Sequence, residues 1–264
     1  NPIICTLCAS AGGMLAKDSV GKLYFKPVNT SKTSNALKII KESDKIIVLS
    51  DFMKDQLVNN KIDSNKIIKI HPFIDVDKVL SENDHDNNSI LYVGQITRGK
   101  GIDLLLNSLL LVKSDYQLKL VGKGNDEEFV KNFIKENNLE DKVEFVGFTL
   151  EVEKYYSECS FVIVPSRWQE PFGLIGIEAF SKSKPVVGFD VGGISEWLKD
   201  GYNGWLIPEG NIVRMAEIID HILNNKEELK LRSKNAYLTA KEYSRSKFIE
   251  SYKALLASTG GINV

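Results

Sequence analysis

An α/β fold, with one complete doubly wound parallel sheet and part of a second lobe, is predicted by three observations. Short apolar, β-rich runs alternate with helical patterns from Ser89 onward, several of these runs end at glycine, and the region before residue 81 holds only three strand-like runs. Strand, helix, strand in repetition means a parallel sheet wrapped by helices, because parallel neighbours need a crossover between them.

The strand-like runs of the complete domain are 90–94, 117–122, 142–147, 161–165, 185–189 and 204–207. Helical spacing of apolar residues marks 102–111, 126–137, 152–158 and 174–181 between them. In the first part the strand-like runs are 3–7, 45–49 and 66–70, with helices over 35–42 and 52–59. Three strands are too few for a second whole domain of this kind. Residues 1–80 therefore read as a partial N-terminal lobe, the polar stretch 81–88 as a linker, and 89–243 as the complete domain. In the last helix, 244–257, Phe248, Tyr252, Leu255 and Leu256 recur at helical spacing, so 244–264 should cross back and dock on the first lobe.

The composition excludes several classes of function. A formal charge of -1 gives no general attraction for nucleic acid or anionic membrane, which leaves a small molecule as the expected partner. The longest apolar candidate for a bilayer span, 104–112, is interrupted by Asn107 and Ser108 and falls short of ~20 residues. Residues 1–10 lack the basic start of a signal peptide, and the absence of an initial Met reads as an excised fragment. An odd count of three cysteines favours a reducing, cytoplasmic setting; Cys5 and Cys8 form a C-x-x-C without the second pair or histidine that a zinc site needs. His71, His85 and His221 are scattered, and His71 beside Pro72 reads as part of a strand exit. The lysines of 22–45 leave room for peripheral contact with a membrane, although Glu42 and Asp44 interrupt them and a solvated face is the simpler reading.

Ligands of open α/β sheets gather outside the carboxyl ends of the strands, and glycine follows those ends repeatedly: Gly94, Gly122, Gly147 and the pair Gly192-Gly193. Glycine lets backbone turn tightly and approach a ligand, although one glycine after a strand is usually only a turn. The segment Pro165-Ser-Arg-Trp-Gln-Glu-Pro-Phe-Gly-Leu-Ile-Gly-Ile-Glu178 is more specific. Pro171 and Gly173 make a strand-loop-helix corner whose first free N–H groups, near Gly173 and Leu174, suit phosphate or sugar oxygens. Glu178 lies one turn into that helix among Ile175, Ile177, Ala179 and Phe180, where a carboxylate needs a partner. Gly176 costs the same helix ~1 kcal/mol relative to Ala and demands a reason of its own.

On these residues the chain resembles glycosyltransferase family 4, the large retaining group within the glycosyl transferases group 1. Glu170 and Glu178 form its E-x7-E signature, and the likeness extends to 92–101, 143–147 and 185–193, followed by Glu196, in order over roughly residues 45–255. The resemblance implies a GT-B fold of two Rossmann-like lobes facing across a cleft, the second holding a nucleotide-sugar donor. No cofactor or bound metal is implied, since the donor is a substrate. Carried over position by position, Glu178 resembles the carboxylate on the ribose hydroxyls and Glu170 the one at the transferred sugar. Phe172, Gly173 and Leu174 look like the backbone holding sugar and distal phosphate. Gly147, Phe148 and Thr149 look like the edge that meets the base, with Gly94, Gln95 and Gly122 on the same donor side. Lys100 matches the diphosphate lysine, which would offset charge growing on the leaving group.

Two departures stand out. Gln95 replaces the arginine usual five positions before that lysine, and Arg98 lies close enough in sequence to supply the charge. Residues 1–80 match only the last part of the family's acceptor lobe, and the histidine expected after 3–7 is absent, with Cys8 or a neighbour in its region. The implied reaction moves a sugar from a nucleotide diphosphate sugar to a hydroxyl of a glycan, a lipid-linked or a small-molecule acceptor, with retention. Competing readings are a nucleotide-sugar-binding module without turnover, and an epimerase or phosphorylase of the same fold, against which the E-x7-E signature argues. A complementary chain is the expected source of the missing strands, which would otherwise leave exposed sheet edges.

Overall fold

In the computed structural model, which describes residues 15–17, 23–25, 31–76 and 87–258, the apolar runs become strands. Six of them, β5 (Ser89–Val93), β6 (Gln117–Val121), β7 (Val143–Gly147), β8 (Phe161–Val164), β9 (Val186–Phe189) and β10 (Gly204–Ile207), form one sheet in the order β10-β9-β8-β5-β6-β7. Each neighbour pair is parallel. Chain order therefore runs outward from β5 in one direction, then restarts at β8 on its other side. The crevice between β5 and β8 is the topological switch point, where loops leave in opposite directions and a ligand can enter. Ile90, Leu91, Phe161, Val162, Val186 and Val187 fill the sheet interior with no solvent exposure.

Helices cover both faces. Their order is α1 (Ser31–Glu42), α2 (Asp51–Asn59), α3 (Ile102–Leu109), α4 (Glu127–Glu136), α5 (Val152–Glu158), α6 (Leu174–Ser181), α7 (Ile194–Trp197), α8 (Ile212–Asn224), α9 (Lys226–Glu242) and α10 (Arg245–Ser258). α3 packs against α8, and α6 against α9. The strands and helices expected from 89 onward all form, with ends differing by a residue or two. Helices α7, α8 and α9 lie outside the helical patterns identified from sequence. None of the helices among the described residues is long and apolar enough to cross a membrane.

Residue contacts divide the chain into two compact units, 1–47 with 57–68 and 48–56 with 69–264. In the first, β1 (Leu15–Lys17) and β2 (Leu23–Phe25) pair antiparallel, a ladder not expected from sequence. Asp63 caps a short 3-10 turn at Ser64–Lys66, and Lys66 Nζ donates to the carbonyls of Lys41 and Ser43 at the end of α1. The expected strands near 45–49 and 66–70 appear as β3 (Ile46–Val48) and β4 (Ile67–Lys69), paired in a sheet of two. The second unit includes 48–56 and 69–76, which the sequence reading placed in the first lobe. The C-x-x-C of Cys5 and Cys8, the strand expected at 3–7, His85 and most of the expected linker lie outside the described residues.

Within the second unit α10 docks on 73–75. Phe248 meets Phe73 at 4.9 Å between ring centroids, Arg245 pairs with Asp75 at 2.8 Å, and Ile74 N–H donates to Tyr243 O. Gly176 has its reason in packing: a Cβ there would lie 1.9 Å from the Trp197 ring. Gly176→Ala has opposing consequences for the two explanations. Helix propensity alone would stabilise the protein by about 1 kcal/mol, whereas a methyl forced into the indole costs about 1–3 kcal/mol. Net destabilisation is expected, read as a lower urea midpoint at unchanged slope.

Candidate functional site

The exits of β5, β6 and β7 approach each other so closely that a side chain is excluded at Gly122. Gly94 N–H donates to Val121 O at 3.0 Å and Gly122 N–H to Gly147 O at 2.9 Å. Gly122 has φ of +146°, and a Cβ on it would sit 1.8 Å from Gly94 O, so no other residue fits there without moving backbone. Tyr92 Oη donates to Gln95 O at 2.7 Å and holds the first of these loops. Burial, reinforced by the Glu170 charge, pushes the Tyr92 phenol well above its ordinary value, so it remains a donor.

The loop after β8 carries Glu170. Its Oε1 accepts from Lys100 Nζ at 2.5 Å and from Ser166 Oγ at 2.7 Å, with only 12% of the glutamate side chain exposed. A carboxylate so enclosed needs such partners, and the lysine supplies both charge and donor. The backbone of the loop is tied down from three sides. Gly193 N–H donates to Glu170 O at 2.7 Å, Ser50 Oγ to Pro171 O at 2.5 Å, and Trp197 Nε1 to Phe172 O at 2.6 Å. Three successive carbonyls thus face protein. Gly173 then turns at φ +87°, ψ +67° into α6, whose first N–H groups have no acceptor within the helix and suit an anion.

Two clefts open on these residues and share Val93. The larger, about 780 Å³, is lined by Gly94, Gln95, Gly122, Phe148 and Thr149 among others. The smaller, about 310 Å³, is lined by Lys100, Glu170, Phe172, Gly173 and Leu174 together with Tyr92 and Ser166. Three sequence-predicted residues line neither. Gly147 contributes its carbonyl to the strand ends, as above. Arg98 sits 4.8 Å from the Phe129 ring and beside Asp126, which also accepts from the Arg98 N–H at 2.7 Å. Glu178 lies half-buried on α6 and accepts from Tyr156 Oη at 3.2 Å. Burial first, then the Glu178 charge, holds the Tyr156 phenol protonated, so Tyr156 is the donor of that bond.

Other residues of the site lay beyond the sequence reading. Lys123 and Asn125 line the larger cleft, and Lys123 Nζ stands 4.6 Å from the Phe148 ring centroid. Their signal was present in the Lys-Gly-Asn that follows Gly122. Tyr156 carries no comparable mark, being separated from Glu178 by 22 positions that only folding brings together.

Glu196 anchors a second charged group. Its carboxylate accepts from Lys69 Nζ, from Asp51 N–H at 3.0 Å, and approaches His71 Nε2 at 2.9 Å. Lys69 also meets Asp51 at 2.6 Å, and the His71 ring lies against Tyr243 and Phe172 at 5.2 and 5.7 Å. Burial opposes ionisation of Glu196, but the bonds from Lys69, the Asp51 N–H and His71 outweigh it and hold the carboxyl below its ordinary range. His71 is therefore part of a built contact beneath Phe172, beyond the strand-exit role read from sequence.

Residues 74–239 match the family described as glycosyl transferases group 1. An uncharacterised glycosyltransferase of Methanocaldococcus jannaschii is 34% identical over 250 residues, covering 94% of this chain and 66% of that protein. A poly(ribitol-phosphate) α-N-acetylglucosaminyltransferase of Staphylococcus aureus is 33% identical over 71% of this chain and 39% of its own length. The chain thus spans less than two-thirds of these relatives. Among solved structures, a variant of Staphylococcus aureus TarM in complex with fondaparinux, α-GlcNAc-glycerol and UDP superposes with a TM-score of 0.77 at 25% identity, over 92% of this chain and 48% of that one. HepE of Anabaena in complex with UDP-glucose shares the fold, with a TM-score of 0.78 at 20% identity over 88% of this chain and 68% of that one.

The Glu196 contact has a consequence in acid. A carboxyl whose folded pKa is depressed contributes stability that is present above its unfolded value, 4.5, and lost as pH falls through the lower folded value. Glu196→Gln should remove that contribution. Urea unfolding at a series of pH values should show wild type losing more stability than the variant on acidification below 4.5; parallel curves would mean that the contact does not depress the carboxyl.

Proposed function

We propose, for a chain that belongs to the glycosyl transferases group 1 family, that the two clefts meeting at Val93 hold a nucleotide diphosphate sugar and that its hexose passes to a hydroxyl acceptor with retention at the anomeric carbon. The observation that carries this reading is the Lys100–Glu170 pair at the switch point, which lines the smaller cleft beside the start of α6, with the glycine-walled cleft sharing Val93 with it. A cation and helix N–H groups suit the diphosphate, and a carboxylate suits the hydroxyls of a sugar. Glycine-walled exits admit a flat base against backbone, with Phe148 and Thr149 at the rim.

In the proposed step the bond from the anomeric carbon to the diphosphate oxygen breaks and negative charge collects on the leaving group. Lys100 is positioned to offset that charge, which is the main electrostatic demand of the reaction. The acceptor hydroxyl bonds to the same carbon on the same face, and its proton passes to the leaving phosphate oxygen. Glu170 orients the sugar, and the Glu178 carboxylate, fixed by Tyr156, takes the ribose hydroxyls. Arg98 joins the diphosphate only by leaving Phe129 and Asp126. A double displacement through a covalent intermediate would use Glu170 as nucleophile. UDP is the first nucleotide to try, since relatives of this fold were solved with UDP or UDP-glucose. The acceptor classes in this reading are a glycan, a lipid-linked molecule and a small molecule.

A second reading is that these residues bind a nucleotide sugar without turning it over. Product analysis separates the two.

Melting of the protein with UDP, GDP, ADP and their sugar conjugates tests donor binding. Ligand at one hundred times its dissociation constant adds about 2.7 kcal/mol of stability. One nucleotide should raise the melting temperature, and Glu178→Ala should abolish most of that rise; no rise with any of them overturns the donor site. Where turnover is detected, Glu170→Gln should lower kcat by about 10²–10³, in the range for losing one electrostatic contact at a reacting centre.

A further inference from the structure

Among the three tryptophans of the chain, Trp197 and Trp205 are buried, whereas Trp168 is 51% exposed two residues before Glu170. Half-exposed indole normally lies loosely on a surface, yet this one is seated. Gly99 O accepts from both Arg167 N–H and Trp168 N–H at 3.1 Å, and the ring covers Gly99 so closely that a Cβ there would fall 2.0 Å from it. Gly99 has no left-handed backbone to explain its glycine, so the indole is what excludes a side chain. Arg167 completes the seat by pairing with Asp103 at 2.7 Å, on the helix that follows the 98–100 turn. Lys100 Nζ then lies 5.6 Å from the indole centroid while it donates to Glu170.

We propose that Trp168 is a positioning residue for Lys100: the indole, seated on Gly99, clamps the 98–100 turn to the loop after β8 and confines the lysine ammonium to the space beside Glu170. A lysine has four rotatable bonds and, on a short turn, would otherwise sweep a wide arc. The clamp limits that arc from one side with an aromatic face that attracts the cation, and from the other with the carboxylate. This inference rests on the reading of Lys100 as the group that meets the donor's diphosphate. It adds that the geometry of Lys100 is set by a residue that lines neither cleft.

The test is a mutant cycle on nucleoside diphosphate binding, measured by calorimetry with whichever of UDP, GDP and ADP raises the wild-type melting temperature. Trp168→Ala should weaken binding by roughly threefold to thirtyfold, the span of a cation-π contact from exposed to desolvated. Trp168→Phe should recover most of the loss. Gly99→Ala, which unseats the ring, should act in the same direction. In a Lys100→Met background, Trp168→Ala should weaken binding no further, because the tryptophan acts through the lysine. An additional loss in that background, or full affinity in Trp168→Ala, overturns the proposal while the donor site itself stands. A second measurement needs no ligand: Lys100→Met should change the emission of Trp168, the exposed tryptophan. If wild type binds none of the three nucleotides, the donor reading fails, and with it the proposal; unchanged emission in Lys100→Met would overturn the contact between ring and ammonium independently.

Discussion

The indole of Trp197 is the contact on which the arrangement of the site depends. It is fully buried, donates to Phe172 O, presses on Gly176, and meets Phe180 edge-on at 5.4 Å. One side chain from α7 thereby sets both the loop that carries Glu170 and the helix that carries Glu178. The Gly192–Gly193 corner before α7 adds the bonds to Gln169 and Glu170, so the exits of β8 and β9 behave as one piece. Displacing that indole would move both carboxylates together.

Two glutamates eight positions apart end in different surroundings. Glu170 lies against a lysine and a serine hydroxyl on an enclosed loop, and Glu178 against a protonated phenol on a helix. The first setting concentrates opposite charges where a charged ligand can exchange for one of them; the second fixes a carboxylate with a neutral donor and leaves its charge unspent. Below Phe172, Lys69, His71, Asp51 and Glu196 form a further charged group that supports the same loop, all four within the second unit. Loop positions are thus held by side-chain hydrogen bonds and ion pairs, while the sheet beneath is held by its parallel backbone ladders and apolar burial.

Strand existence was legible because a strand buried on both faces must be apolar along its length, and few other elements share that pattern. The exits were legible through Gly94, Gly122 and Gly147, which all have positive φ and of which Gly122 also leaves no room for a Cβ, and the E-x7-E spacing marked both carboxylates. Helices α8 and α9 were less so: on α9 Leu229, Arg232, Ala236 and Ala240 are buried between charged residues, a stripe too thin to recognise before its partner α6 is known. The β1–β2 pair consists of two three-residue strands, below the length at which alternation is informative.

By itself, the sequence determined the class of fold, the order of strands along the chain, and which residues are candidates for chemistry, since these follow from local period and residue type. Only the tertiary structure decided which of those residues meet. Lys100 and Glu170 are 70 positions apart, Tyr156 and Glu178 are 22, and Asp51 and Glu196 are 145. Such pairings arise from strand order in the sheet, where β5 and β8 become neighbours, and from the packing of buried rings such as Trp197. Gly176 illustrates the division. Its cost to the helix is visible in one dimension, but its cause, an indole that arrives from 21 residues later, exists only in three.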